Sequence, residues 1–209
     1  MESLVRKLIK SLVIVALLFA LSVQAQDFNQ IQEAFRKSYD LETDGGYAEA
    51  IKALKGVYNE QDYIINLRLG WLNYENGNFT ESVAYYKKAI QLKPYSVEPK
   101  FGLAYPASAM GNWNIVTDQY NEILKIDPEN TVANYKLGMI KYSNQQYDEA
   151  YKHFEKVVNL YPFDYDSLIM FAWTNLKLGK IREAEVLFKQ CLLYNPGDES
   201  ATQGLEAIQ

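Results

Sequence analysis

Four prolines recur at a fixed interval along the chain. Pro94, Pro128, Pro162 and Pro196 lie 34 residues apart, and each closes a stretch that begins with a helical pattern and is rich in tyrosine. A fixed period of this length is typical of repeat proteins, in which each unit stacks on its neighbours. The period therefore predicts a stacked repeat protein that works by presenting a surface.

Alignment on the prolines gives four consecutive units without a gap, at residues 63–96, 97–130, 131–164 and 165–198. One column holds small residues, which let two helices approach closely. These residues are Gly70, Ala104, Gly138 and Ala172. A later column holds glycine in three units and Gln145 in the other. The members of this column are Gly77, Gly111, Gln145 and Gly179. Glycine suits the end of a helix and its turn, so each unit is predicted to be helix, turn and helix.

The second helix of each unit is predicted to carry an aromatic core residue four places after a smaller one, on one helical face. The aromatic residues are Tyr86, Tyr120, Phe154 and Phe188. With these columns and the closing proline, the chain resembles the tetratricopeptide repeat family, and unit 131–164 is the best match. The resemblance implies an all-α fold, a right-handed α-solenoid of stacked antiparallel helix pairs.

A weaker unit precedes these four at about residues 31–62. Gly45 and Tyr47 reproduce its turn and second helix, and Asp62 is assigned to the place of the proline. The tail, residues 199–209, is predicted to form a helix that caps the last repeat. The repeat domain is therefore expected to cover residues 26–209, with about five repeats and a cap.

The first 25 residues have the pattern of a secretory signal peptide. Basic residues up to Lys10 precede an uncharged apolar run, which is followed by the small residues Val23 and Ala25. We expect cleavage after Ala25 and a periplasmic or otherwise exported protein. The alternative is a retained anchor, but the run over residues 11–23 is shorter than the roughly 20 residues that span a bilayer. No membrane span is expected after cleavage.

The composition disfavours two classes of function. A net charge of −5 lacks the basic face that nucleic-acid binding requires. Catalysis has little support, because His153 is the single histidine and Cys191, the single cysteine, falls in a small-residue core column. No group of histidine, cysteine and carboxylate residues has metal-ligand spacing. The chain is therefore expected to be non-enzymatic and to need no cofactor.

The resemblance implies that the first helices line a concave face. Their residues at places i, i+4 and i+7 form what we call the aromatic stripe. Its members are Phe35, Tyr39, Leu67, Trp71, Tyr74, Phe101, Tyr105, Tyr135, Met139, Tyr142, Ile169, Trp173 and Leu176. A large exposed apolar patch indicates a partner, but the same residues could instead pack neighbouring first helices together. Arg68 and Lys136, one place beyond the stripe, could pair with an acidic or C-terminal group.

The first helices depart from the family at two places that usually hold bulky aromatic residues. These places hold Asn66, Asn73, Lys100, Ala107, Asn134, Lys141, Leu168 and Asn175. A buried amide without a partner costs about 1–3 kcal/mol, so we expect backbone or water partners for the asparagines. Pro106 lies within a first helix and predicts a bend there.

The leading hypothesis is an exported adaptor that binds a protein or peptide, in the cell envelope, on the aromatic stripe. One alternative is a receptor for a small ligand or glycan, since aromatic faces stack on sugar rings and the asparagines could supply hydrogen bonds. Another is a structural homo-oligomer that self-associates through the stripe.

Overall fold

A computed structural model describes residues 28–208 of the chain. All regular secondary structure in this range is helical. The predicted signal peptide and its cleavage site after Ala25 lie outside the described residues.

Helices follow one another in pairs joined by short turns. The first pair is α1, residues 28–43, and α2, Tyr47–Lys55. The next three helices are α3 (Tyr63–Glu75), α4 (Phe79–Leu92) and α5 (Glu98–Ala109). They are followed by α6 (Trp113–Ile126), α7 (Thr131–Ser143) and α8 (Tyr147–Leu160). The last three are α9 (Tyr165–Lys177), α10 (Ile181–Tyr194) and α11 (Glu199–Glu206).

The helices form two compact units, which are described separately. Unit 1 ends at Pro94 and contains α1 to α4; its core is built on Leu54, Ile65 and Leu69. Unit 2 begins at Tyr95 and contains α5 to α11. In unit 2 each helix from α5 to α10 packs against the next one, and α11 packs on α10 and α9 at the end of the chain.

The turn within each pair requires one residue with a left-handed backbone. Gly45, Gly77, Gly111 and Gly179 have φ between 72° and 76°, and Gln145 takes the same place with a φ of 60°. The next residue donates its N–H to the carbonyl five places back, for example Asn78 to Asn73 at 2.8 Å, which closes a Schellman motif. Gln145 therefore keeps the geometry of the turn, but its backbone is strained because a residue with a side chain disfavours the left-handed conformation.

The turns between pairs have two recurring residues. The four periodic prolines each lie two residues after the end of a second helix. The residue before each has left the α region, which a following proline disfavours, with ψ between 79° and 88°. Two residues after three of these prolines, Pro128, Pro162 and Pro196, an Asp or Asn caps the next helix. Asp164 accepts from the Ser167 N–H at 2.9 Å, and Asn130 and Asp198 act in the same way.

Asp62 belongs to this capping column and does not replace a proline. Its carboxylate accepts hydrogen bonds from the N–H groups of Ile64 at 2.8 Å and Ile65 at 3.0 Å. Glu60 is the residue in register with the prolines. The assignment of Asp62 to the proline position is therefore wrong, because the cap of α3 needs a short side-chain acceptor at that place.

The column of small residues allows close packing within a pair. A Cβ atom added at Gly138 would lie 2.7 Å from the Phe154 ring, and one at Gly70 would lie 2.9 Å from the Tyr86 ring. The close approach of the two helices that this column predicts is confirmed. Helix α5 continues through Pro106 and ends three residues later, and the bend at Pro106 stays a prediction.

The turn geometry generates a stability prediction. Gln145→Gly should raise the free energy of unfolding by up to about 1 kcal/mol, because the left-handed backbone strains a residue with a side chain and the gain is offset in part by the entropy of glycine. Thermal and urea unfolding of the two proteins would measure this difference.

The reverse substitution is the matched control. Gly111 occupies the same turn position, and a Cβ atom added there would have no other atom within 4 Å, so Gly111→Gln should destabilise through its backbone alone. A Gln145→Gly variant less stable than the wild type would contradict the prediction and would show that the glutamine side chain stabilises this turn.

Candidate functional site

The aromatic stripe is divided between the two units. Unit 1 holds its members from Phe35 to Tyr74, and unit 2 holds those from Phe101 to Leu176. Most of these side chains are only half-buried, whereas Tyr39 and Tyr105 are about half exposed. The local contacts of each side chain decide whether it serves packing or remains accessible.

In unit 1 a buried cation lies beside the stripe. The Arg68 guanidinium forms an ion pair with Glu42 at 2.5 Å, donates to the Ser38 carbonyl at 3.2 Å, and lies 3.9 Å from the centre of the Tyr39 ring. The Arg68 side chain is only 9% exposed. The sequence places Arg68 at the surface, available to a partner, but the structure pairs it with Glu42, so we do not assign it to partner binding.

The same carboxylate fixes the neighbouring indole. Trp71 donates its Nε1–H to Glu42 at 2.5 Å, and its ring contacts that of Tyr74 with a centroid distance of 5.9 Å. Burial acts to raise the pKa of Glu42, but the bonds from Arg68 and Trp71 outweigh it and hold the pKa below its ordinary value. Tyr74 in turn packs on Phe79. The stripe in unit 1 is therefore mainly a packing surface.

Several stripe residues of unit 2 also have structural partners. Trp173 packs edge-on against Phe188 at 5.1 Å and donates its indole N–H to Ser200 in the capping helix at 2.9 Å. Ile169 and Leu176 pack beside the same core, Phe101 packs on Tyr120, and Tyr142 packs on Tyr147. These residues position the repeats, and most of their surface is engaged in packing contacts.

The remaining stripe residues of unit 2 line an open groove. It has a volume of about 630 Å³, within the range of ligand pockets, and lies between α5, α6 and α7. We call it the α5–α7 groove. It is lined by Ala104, Tyr105, Ser108, Trp113, Val116, Tyr120, Tyr135, Lys136, Met139, Ile140, Ser143 and Asn144. The groove brings together four predicted site residues, Tyr105, Tyr135, Lys136 and Met139.

A single small residue explains why the groove is open here. The place three residues before the turn holds Tyr74 in α3 and Tyr142 in α7, and each ring packs on the first aromatic residue of the following helix. In α5 this place holds Ser108. Trp113, the first residue of α6, is 55% exposed. Trp113 follows the turn residue Gly111 by two places and is not a member of the aromatic stripe. The loss of an aromatic residue at Ser108 is the signal in the sequence that reveals it.

Lys136 carries the only charge among the residues that line the groove. It is exposed and forms no ion pair with any residue between 28 and 208; its Nζ lies 5.7 Å from the centre of the Tyr135 ring. Burial, followed by the effect of Asp166, raises the pKa of Tyr135, and burial also raises that of Tyr120, so both phenols stay neutral. The groove therefore has an apolar aromatic lining and one positive group.

The asparagines of the first helices are buried and hydrogen-bonded to backbone. Asn66 and Asn134 each donate to two carbonyls of the preceding turn, Asn66 to Asp62 at 2.7 Å and Asn134 to Asn130 at 3.0 Å among them. Asn73 and Asn175 donate to the carbonyl four residues back in their own helices. The expected backbone partners are confirmed. All four side chains are buried, so the glycan interpretation loses its hydrogen-bonding residues.

The two candidate catalytic residues have structural roles. His153 is half-buried, and its Nδ1 lies 3.0 Å from the Asn134 side-chain oxygen. Burial, with a contribution from Asp198, raises the pKa of the Cys191 thiol to about 12, so the fully buried thiol is protonated. Among residues 28–208 no group of histidine, cysteine and acidic side chains is placed to hold a metal ion. In the same range no helix combines the length and hydrophobicity needed to cross a membrane.

Comparison with known proteins places the chain in a family. Two sequence profiles of the tetratricopeptide repeat match residues 35–97 and 141–208, which together are more than half of the chain. The chain belongs to the tetratricopeptide repeat family. The prediction of an all-α fold of stacked helix pairs is confirmed, and tetratricopeptide repeats are in general scaffolds for protein–protein interaction.

Relatives of known sequence or structure share this repeat. A TPR repeat-containing protein of Methanocaldococcus jannaschii is 24% identical in an alignment of 162 residues that covers 70% of this chain and 27% of that protein. The chain thus spans about a quarter of that relative.

Solved structures of other tetratricopeptide repeat proteins have the same fold. One from Parabacteroides merdae aligns with a TM-score of 0.73 and 22% identity, over 86% of this chain and 72% of that one. MamA aligns with a TM-score of 0.69 and 21% identity, over 79% and 91% of the two chains. YrrB, described as a TPR protein with an unusual peptide-binding site, has a TM-score of 0.64 and 20% identity, over 78% and 81%.

The ion pair in unit 1 predicts a pH-dependent contribution to stability. Glu42→Gln should lower the free energy of unfolding at neutral pH by about 1–3 kcal/mol, because it leaves Arg68 buried without its counter-charge. Since the pKa of Glu42 is lowered on folding, its contribution is full above the unfolded pKa of about 4.5 and is lost as the pH falls through the folded value. Thermal unfolding between pH 3 and 7 would measure it.

Glu33→Gln is the matched control on the same helix. Glu33 pairs with Arg36, but both side chains are more than 60% exposed, so its removal should change stability little. If Glu42→Gln and the wild type differed by the same amount at pH 3 and pH 7, the assignment of this stability to the ionised Glu42 carboxylate would be refuted.

Proposed function

We propose that this protein is a non-enzymatic scaffold of the cell envelope that binds a segment of another protein in the α5–α7 groove. One observation carries the proposal: unit 2 leaves an open groove of about 630 Å³ lined by tyrosine, tryptophan and methionine. Elsewhere the aromatic members of the stripe pack on other rings within their own unit.

The lining favours a protein segment over a small polar ligand. Tyrosine and tryptophan are common anchors of protein interfaces, since they offer a large contact area with few rotatable bonds. Tyr105 and Trp113 are each about half exposed at this groove. The general role of tetratricopeptide repeats and the peptide-binding site described for YrrB support the same choice. A glycan receptor has no comparable support, because the asparagines are buried.

A double substitution tests the groove directly. Tyr105→Ala combined with Trp113→Ala should abolish capture of the partner, because it removes the two exposed aromatic anchors, while the fold should persist because neither side chain is buried. Photo-cross-linking in the native envelope extract, followed by mass spectrometry of the captured proteins, would identify the partner and measure its loss.

Tyr95→Ala is the matched control. Tyr95 is 84% exposed and lies outside the groove lining, so its removal takes away an exposed aromatic residue and should leave capture unchanged. The same cross-linked partner at the same yield in the double variant would refute binding in the groove. A product that contains only a second copy of the chain would support the homo-oligomer instead.

The envelope location rests on the sequence of the first 25 residues. Basic residues precede an uncharged apolar run that is too short to span a bilayer and is followed by small residues. The chain recovered from the envelope fraction should therefore begin at Gln26, which intact-mass measurement would establish.

A charge in the apolar run provides the control for export. Leu17→Arg should block export and leave the full-length chain in the cytoplasm. A full-length wild-type chain in the membrane fraction would instead show that the segment is retained as an anchor.

A further inference from the structure

The two units contain clusters at equivalent positions, and only the cluster in unit 1 includes a carboxylate. Counted back from the left-handed turn residue of each repeat, Tyr105 occupies the place of Tyr39, and Ser108 occupies that of Glu42. In the following repeat, Lys136 occupies the place of Arg68 and Met139 that of Trp71. An aromatic ring, a cation and a large apolar side chain are thus present in both clusters, but the carboxylate is present only in unit 1.

In unit 1 the carboxylate joins the two repeats. Glu42 forms an ion pair with Arg68 and accepts the indole N–H of Trp71, and the Tyr39 ring covers the guanidinium. These contacts leave the Glu42 side chain 23% exposed and the Arg68 side chain 9% exposed. Unit 1 therefore shows how a carboxylate is held at this position of the fold.

In unit 2 Ser108 has neither the charge nor the length to reach Lys136 in this way. Lys136 forms no ion pair with any described residue, and no Asp or Glu lines the groove. The chain as a whole carries a net charge of −5, so a cation in an apolar groove is a local exception. An acidic group of a bound protein can pair with Lys136 in this groove, whereas a basic group finds no opposite charge among the lining residues.

We infer that the α5–α7 groove selects an internal segment of a protein in which an acidic side chain adjoins an aromatic one. This inference rests on the proposed function. The partner's carboxylate pairs with Lys136 in the position that Glu42 holds in unit 1. The adjoining aromatic side chain packs against Tyr105 and Trp113 in the space left by Ser108. The precedent in unit 1 is a side-chain carboxylate, so the acidic residue lies within the segment and not at a chain end.

Defined peptides test this selection. Capped nonapeptides with randomised flanks and Phe-Glu, Phe-Gln or Phe-Lys at the centre serve as fluorescent probes for anisotropy. The Phe-Glu pool should bind about five-fold more tightly than the Phe-Gln pool, and the Phe-Lys pool should bind most weakly. A fourth pool that ends in Phe with a free carboxylate should bind no better than the Phe-Gln pool.

Substitutions at the two key positions should change the selection in opposite ways. Ser108→Glu supplies an internal carboxylate to Lys136 and should abolish the preference for Phe-Glu, whereas the isosteric Ser108→Gln should retain it among the peptides that still bind. Lys136→Glu should reverse the order of the Phe-Glu and Phe-Lys pools. Lys152→Glu makes the same charge change at an exposed site outside the groove and should leave the order intact.

The outcomes separate this inference from the proposed function. Equal binding of the Phe-Glu and Phe-Gln pools, an order unchanged by Lys136→Glu, tighter binding of the pool with a free carboxylate, or no binding by any pool would overturn the inference. The proposed function would then still be judged by partner capture with the Tyr105→Ala and Trp113→Ala variant. Peptide binding that is undiminished in that variant would overturn both.

Discussion

In the four helix pairs from α3 to α10, a glycine or alanine of the first helix packs against an aromatic ring of the second helix. The rest of the structure depends on this contact. The absence of a side chain at Gly138 lets α7 lie directly against the Phe154 ring, and Gly70 does the same for Tyr86. This contact fixes how close the first helix lies to the second and which of its faces is buried. The aromatic stripe lies on the neighbouring face of the first helix, where Trp173 and Phe101 pack on the same column of aromatic residues.

Because the fold is held by these inner columns, an outer column is free to vary. The place three residues before the turn holds Glu42, Tyr74, Ser108, Tyr142 and Leu176 in successive repeats. A large side chain there covers the face of its repeat, and serine leaves it open. The opening faces solvent and creates no sealed internal cavity, so it avoids much of the cost of a large-to-small change in a core. Function can therefore be introduced at this column with little loss of stability.

The sequence predicted the features that every repeat shares. The period, the helix pairs, the turn and the core columns all follow from residues that recur, and even Gln145 adopts the backbone of the glycines that it replaces. The features that belong to one repeat were not predicted. Glu42 and Arg68 pair between two successive repeats, and no column records that pairing because no other two successive repeats have an acidic residue and a cation at these places. The groove is open because Ser108 has no aromatic ring. The importance of that absence is evident only from the structure, in which the equivalent residues Tyr74 and Tyr142 pack on the next helix.

In the groove, the aromatic side chains and the lysine contribute differently: the former to affinity and the latter to selectivity. A solvent-exposed ion pair such as one with Lys136 contributes about 0–1 kcal/mol, whereas a buried aromatic anchor can contribute about 2 kcal/mol or more. The negative charge of the chain also disfavours the approach of an acidic partner, but salt screens this repulsion beyond about 8 Å at physiological ionic strength. Tyr105 and Trp113 must therefore supply most of the affinity. Lys136 acts only after contact, where it distinguishes an acidic neighbour from a neutral or basic one.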